Sequence, residues 1–163
     1  MKQIFTFLFI LFSLNLFSQE LPSQPENGFI FPIGSKFTIK MHPIDSVNYN
    51  YSILKFEPFN DFVGTWENDN LFAENGIDET IEFYFCIGTT GETDEEKEKN
   101  MQILLIMKNR TKHSFSYHSE IITEEDGELK ETSNIGTYSG AKGTEMWPYM
   151  IYAIGLSDFK LKK

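Results

Sequence analysis

Between Ile81 and Ile87 the apolar residues Ile81, Phe83, Phe85 and Ile87 alternate strictly with Glu82, Tyr84 and Cys86. A period of two places successive side chains on opposite faces of an extended chain, whereas an amphipathic helix needs apolar residues three and four apart. Gly88 and Gly91 stop this segment, and the next run, Met101 to Met107, is apolar at nearly every position. Such a run reads as a strand covered on both faces. These neighbouring segments commit the chain to a β core.

The rest of the sequence repeats the pattern. Phe37, Ile39 and Met41 alternate with Lys36, Thr38 and Lys40. From Asn50 to Glu57, Ser52, Leu54 and Phe56 stand opposite Tyr51, Ile53 and Lys55, and Pro58 ends the strand. Phe115, Tyr117, Ser119 and Ile121 share one face of another strand, and Asp126-Gly127 is a hairpin signal leading into residues 128–134. A last strand is expected over Tyr149 to Leu156, with Met150, Tyr152, Ile154 and Leu156 on one side and Phe159 and Leu161 extending it. The stretch from Gly136 to Gly143 reads as a loop. Helix is confined to two short pieces: Thr93 and Glu96 have the spacing of a capping box opening a turn through Lys99, and Phe59, Phe62, Val63 and Trp66 have helical spacing after Pro58. The expected fold is all-β, a single-domain β-sandwich of about seven mostly antiparallel strands with one or two short helical turns.

At the start of the chain, a charged Met1-Lys2-Gln3 precedes an apolar run from Ile4 to Phe12 and then Ser13 to Ser18. This is the layout of a cleavable secretory signal, and it is too short to span a bilayer. The expectation is a signal peptide over 1–18, an extended polar leader over 19–28 and one β-sandwich domain over 29–163. No cysteine stands at the cleavage site to accept a lipid, so the mature protein is expected in a periplasm or outside the cell, without stable membrane insertion. Cys86 is the single cysteine of 163 residues. It has no partner for an internal disulfide in an oxidising compartment, and its apolar surroundings suggest a buried small side chain.

Charge is the feature that a fold alone does not require. The chain carries 24 acidic against 14 basic side chains, a net charge of -10, which argues against nucleic acid as a partner. Thirteen of the acids lie between Glu57 and Glu98, with Lys97 the only base among them. The run from Glu92 to Lys99 precedes the aggregation-prone window of Met101 to Met107, and Lys108, Arg110 and Lys112 follow it, as gatekeeping charges do. That does not account for Asp61, Glu67, Asp69, Glu74, Asp78 and Glu79, which are interleaved with Phe59, Phe62, Trp66, Leu71 and Phe72. Aromatic side chains among carboxylates suit an interface with a basic protein, the rings supplying affinity and the charges on-rate and orientation. Asp61, Trp66, Glu67, Asp69, Phe72, Glu74, Asp78 and Glu79 are the expected partner-binding residues.

Catalytic and metal patterns are missing from the sequence. His113 and His118 are five apart and His42 is remote, so they form no ligand set by spacing, and no nucleophile elbow, S-x-x-K pair or phosphate-cradling loop occurs. Glu67-Asn68-Asp69-Asn70 fails the EF-hand spacing at Leu71. Glu124, Glu125 and Asp126 read as turn residues. No cofactor or metal is expected. Asn109-Arg110-Thr111 matches an N-glycosylation sequon, and Asp45-Ser46-Val47 is similar to the acceptor of some bacterial O-glycosylation systems.

Gly64-Thr65-Trp66 resembles the G-x-W of the lipocalins, and that resemblance implies a ligand barrel closed at one end by Trp66. Trp147-Pro148 is a second candidate at a cavity lip. Three functional classes follow. The first is an exported, non-enzymatic binding protein, of inhibitor or immunity type, recognising a cationic protein. The second is a carrier of a small apolar ligand, and the third a cell-envelope hydrolase.

Overall fold

The computed structural model describes residues 21, 22 and 24–162; the expected signal peptide, residues 1–18, lies outside the described residues. The chain is all-β. Its strands are β1 (Gly28–Pro32), β2 (Ser35–Pro43), β3 (Asn48–Pro58), β4 (Val63–Gly64), β5 (Thr80–Thr89), β6 (Gln102–Asn109), β7 (Phe115–Ile122), β8 (Lys130–Thr132), β9 (Lys142–Trp147) and β10 (Ala153–Leu161). A single helix, α1 (Asp94–Lys99), interrupts the connection between β5 and β6, and a short 3-10 turn covers Asp69–Leu71.

Hydrogen bonding runs through one sheet in the order β8-β7-β10-β3-β2-β5-β6-β9, with β1 on β10 and β4 on β5. Every pairing is antiparallel except that of β4 with β5. The sheet curls on itself until its two end strands meet. There the indole N–H of Trp147 donates to Thr132 Oγ1 at 3.2 Å, and the turn Tyr138–Ala141 joins the two arms. One curled sheet thus does the work that the sequence suggested for two facing ones.

The alternation seen in the sequence decides which side chains point inward. Phe37, Ile39 and Met41 of β2, Ile81, Phe83 and Phe85 of β5, Ile103, Leu105 and Met107 of β6, and Phe115, Tyr117 and Ile121 of β7 are buried in one core. Its aromatic rings stack closely: Phe31 on Phe37 at 3.6 Å between centroids, Phe37 on Phe83 at 4.9 Å. The Tyr51 hydroxyl crosses this core, donating to the Leu156 carbonyl at 2.6 Å and accepting the N–H of Phe29 at 2.9 Å, so the buried oxygen is satisfied.

Two irregularities reset the phase. In β3, Thr38 faces Lys55 while Ile39 faces Ile53, so Leu54 is an extra residue; Tyr51 and Ile53 stay inside, and Leu54 and Phe56 emerge. In β10 the register shifts between Ser157 and Lys160, with Asp158 at φ 52°, so that Leu156 and Phe159 both point inward although three residues apart. The last strand starts at Ala153, so Met150 and Tyr152, expected on one face of it with Ile154 and Leu156, lie outside it and are exposed. The stretch read as a loop gives way at Lys142 to β9, a strand the sequence pattern did not announce.

A second, smaller core sits on the outer face of β5 and β6, where Tyr84, Cys86, Leu104 and Ile106 pack with Val63. Both faces of β6 are therefore covered, as its composition requires. Residues 59–79 form the cover. The helix suggested by Phe59 to Trp66 is replaced by the two-residue strand β4, whose backbone is held against Gly88 and Thr89. Thr93 and Glu96 do form the capping box, and they open α1 as expected.

Candidate functional site

The segment from Phe59 to Glu79 leaves β3, pairs briefly with the end of β5 and then runs back along β5 to its start. Its inward residues are fixed by Tyr84. The rings of Phe59 and Phe72 meet the Tyr84 ring edge-on at 4.8 and 5.2 Å, and the Tyr84 hydroxyl donates to the Leu71 carbonyl at 2.7 Å. Phe72, expected among the partner-binding residues, is thus half-buried against the second core.

Trp66 is held in the opposite sense. Thr65 donates its N–H to the Thr89 carbonyl at 2.9 Å and its hydroxyl to the same oxygen at 3.2 Å, and the buried Asn68 amide donates to the carbonyls of Gly64 and Thr65. Gly88 permits this approach, since a Cβ there would lie 2.9 Å from Thr65 Oγ1 and 2.3 Å from a Leu104 methyl. The turn is pinned on both sides of Trp66, yet the Trp66 side chain is 70% exposed. Phe62 beside it is 62% exposed, and Met101, just before β6, 43%. Phe62 adjoins Trp66 on one side and Met101 on the other, and contiguous exposed apolar side chains mark interaction sites where singly exposed ones do not.

Two concavities open around these side chains. One, of about 740 Å³, lies between residues 62–67 and the turn Thr89–Glu92, with Lys97 on its wall. The other, of about 400 Å³, is bounded by Phe62, Thr89, Asp94, Lys97, Glu98 and Met101. Phe62, Thr89 and Lys97 belong to both. Glu67, Glu92, Asp94 and Glu98 supply the carboxylates of the rim, all exposed, and Asp61 directly precedes Phe62. The Glu96 carboxyl lies below its usual range because the N–H groups of Glu92 and Thr93 donate to it. It is committed to the cap of α1, and its neighbours are left free to face outward.

The remaining expected residues lie elsewhere. Asp69 is engaged by the Lys142 ammonium of β9, a hydrogen bond that holds its carboxyl below the ordinary value. Glu74, Asp78 and Glu79 lie toward the opposite end of β5, a strand of 10 residues that spans roughly 30 Å at about 3.3 Å per residue. Arg110 organises that end: its Nε donates to Glu82 at 2.7 Å and its two terminal nitrogens to the carbonyls of Ala73 and Glu74. The acidic segment is therefore two separate surfaces. Trp66, Glu67 and Asp61 belong to the end with the concavities, and Glu74, Asp78 and Glu79 to the other.

The chain matches no protein-family model, no curated protein and no solved structure.

Phe62, Met101 and Glu92 carry more of this site than the sequence indicated. Met101 reads as the first residue of the apolar strand, but β6 begins at Gln102, and the one-residue difference leaves the thioether outside. Trp66 lies at the outer rim of the sheet beside the two-residue β4, a different place from the closed barrel end that the lipocalin-like G-x-W implied. Trp147 points inward and is buried. The sequon asparagine, Asn109, is fully buried, with its amide donating to the His113 carbonyl and its Oδ1 accepting the N–H of Thr111, so it builds a turn and offers no acceptor nitrogen. Cys86 is buried as expected, and burial pushes its thiol up to about 12. No group of three or more His, Cys, Asp or Glu is arranged to hold a metal among the described residues.

Proposed function

We propose that this chain is an exported, non-enzymatic binding protein that recognises a cationic protein through the surface formed by Phe62, Trp66 and the surrounding carboxylates, acting as an inhibitor or immunity-type protein. The observation that carries this reading is Trp66: a side chain 70% exposed on a turn fixed from both sides. Exposed aromatic side chains with carboxylates around them supply both halves of an interface, desolvation energy at the centre and electrostatic steering at the rim.

The rim composition supports a basic partner. Four carboxylates against one ammonium, in a segment carrying thirteen acids, favour a cation over several ångströms. The carrier reading gains less support, because the inward positions of the curled sheet are occupied by closely stacked Phe31, Phe37 and Phe83.

The test is a charge-neutralised variant with Glu67, Glu92, Asp94 and Glu98 changed to their amides. These side chains are exposed, so the variant is expected to keep the wild-type melting temperature and to lose capture of a basic protein from lysate of its source at low salt. Undiminished capture by the folded variant contradicts the reading.

A further inference from the structure

The division of the site by Phe62 says more about the partner than its sign of charge. The larger concavity has Trp66 and Phe62 on its walls with Glu67 and Glu92 beside them. An aromatic face with nearby carboxylates suits a guanidinium or ammonium, which is attracted to the ring quadrupole and to the acids together. The smaller concavity has a different chemistry. Phe62 and Met101 form an apolar surface, and the charged groups Asp94, Glu98 and Lys97 stand around it. A cation placed here would lose hydration without the Trp66 ring to compensate, since Met101 stands where the larger concavity has the indole; Lys97 lines both concavities and does not distinguish them. An apolar side chain fits there, and the flexible thioether of Met101 adapts to its shape.

Resting on the reading given above, we infer that the partner's contact element is a basic segment carrying a large apolar side chain, seated between Phe62 and Met101, with an adjacent Arg or Lys against Trp66, Glu67 and Glu92. The occupant is one continuous segment because the two concavities share the Phe62 wall. Charge complementarity selects its basic flanks. Lys97, the only base lining either concavity, opposes those flanks, so its removal strengthens binding.

The experiment uses two synthetic pentapeptide probes, acetyl-Arg-Leu-Arg-Leu-Arg-amide and its counterpart with Ser in place of both Leu, titrated into the mature protein at low salt. Tryptophan fluorescence reads the site, since Trp66 is exposed while Trp147 is buried. The leucine peptide is expected to bind about tenfold more tightly than the serine peptide, the ratio that burying one aliphatic side chain supplies. Phe62→Ala and Met101→Ser are expected to abolish that ratio with unchanged melting temperatures. Lys97→Gln is expected to tighten both peptides about two- to threefold by removing one like charge at close range. Equal affinity for the two peptides would overturn the apolar-seat inference and leave the acidic-surface reading standing. No binding of either peptide would overturn both, and weaker binding to Lys97→Gln would overturn the assignment of a cation to this groove.

Discussion

Glu145 accepts the backbone N–H of Ile135 through Oε1 at 2.8 Å, across the line where the two ends of the curled sheet meet. Among the described residues no strand ladder joins β8 to β9. Side chains close the gap in its place: the Glu145 carboxylate, and the Trp147 indole on Thr132. In the register of β9 with β6, Glu145 faces Leu105 and so shares the inner face, beside Tyr117. Burial raises the Glu145 carboxyl above its ordinary value, although the Ile135 N–H acts to lower it. Burial, and secondarily the Glu145 charge, raise the Tyr117 hydroxyl as well.

A carboxyl whose pKa is higher in the folded than in the unfolded chain makes the fold less stable as pH rises from the unfolded value through the folded one. Glu145→Gln keeps an oxygen to accept the Ile135 N–H and removes the charge. The variant is expected to melt higher than wild type at pH 7 and at the same temperature near pH 4, where the native carboxyl is protonated. Thermal melts at the two pH values check this; a variant that melts lower at both would mean that the ionised carboxylate stabilises the closure.

Arg110 ties the far end of the covering segment to β5, with its side chain largely buried against Glu82 and the carbonyls of Ala73 and Glu74. Arg110→Met leaves Glu82 without its partner and two carbonyls without donors. The expected loss is about 3 kcal/mol in urea denaturation, together with faster proteolytic cleavage between residues 73 and 79. Because that end lies far from Trp66, binding is expected to be unaffected in the folded fraction.

Leu105 is fully buried in the main core and Leu104 in the outer one. Leu105→Ala is expected to cost about 2 to 5 kcal/mol through lost burial and the remaining cavity. Leu104→Ala tests whether the 59–79 cover is part of the cooperative fold, since a comparable loss requires that cover to stay closed in the native state. Unfolding curves that match wild type would contradict the placement of either residue.

The thiol of Cys86 is buried and held near 12, so almost none is thiolate at neutral pH. Native protein is expected to resist iodoacetamide for hours and to be modified within minutes in urea. Mass spectrometry of the two samples distinguishes these, and rapid modification of the native protein would show that the outer core opens.

Much of the β core was legible because alternation survives wherever a strand has one wet and one buried face. Phe37-Ile39-Met41 and Ile81-Phe83-Phe85 gave their inner faces directly, and Met101 to Met107 announced a strand covered twice. The strand β9 was not legible. Its inward positions include Gly143 and Glu145, and a carboxylate facing the core makes sense only at a closure whose existence the linear sequence does not reveal. The acidic surface was legible as composition but not as geometry. Asn68 and Tyr84 decide that the segment folds back along β5, which turns Phe72 inward, leaves Trp66 outside and carries Glu74 to the other end. Those are contacts between residues that no local pattern connects.

Phe62 and Trp66, with the carboxylates around them, form the proposed binding surface for a cationic protein. Capture from lysate of its source by the wild-type protein and by the Phe62→Ala/Trp66→Ala double variant, in parallel at low and high salt, tests this surface. The expected result is a basic protein retained by wild type at low salt, released at high salt, and absent from the variant, whose substituted side chains are exposed and so leave the melting temperature unchanged. Equal capture of the same protein by wild type and variant, or loss of capture only together with loss of folding, would contradict it.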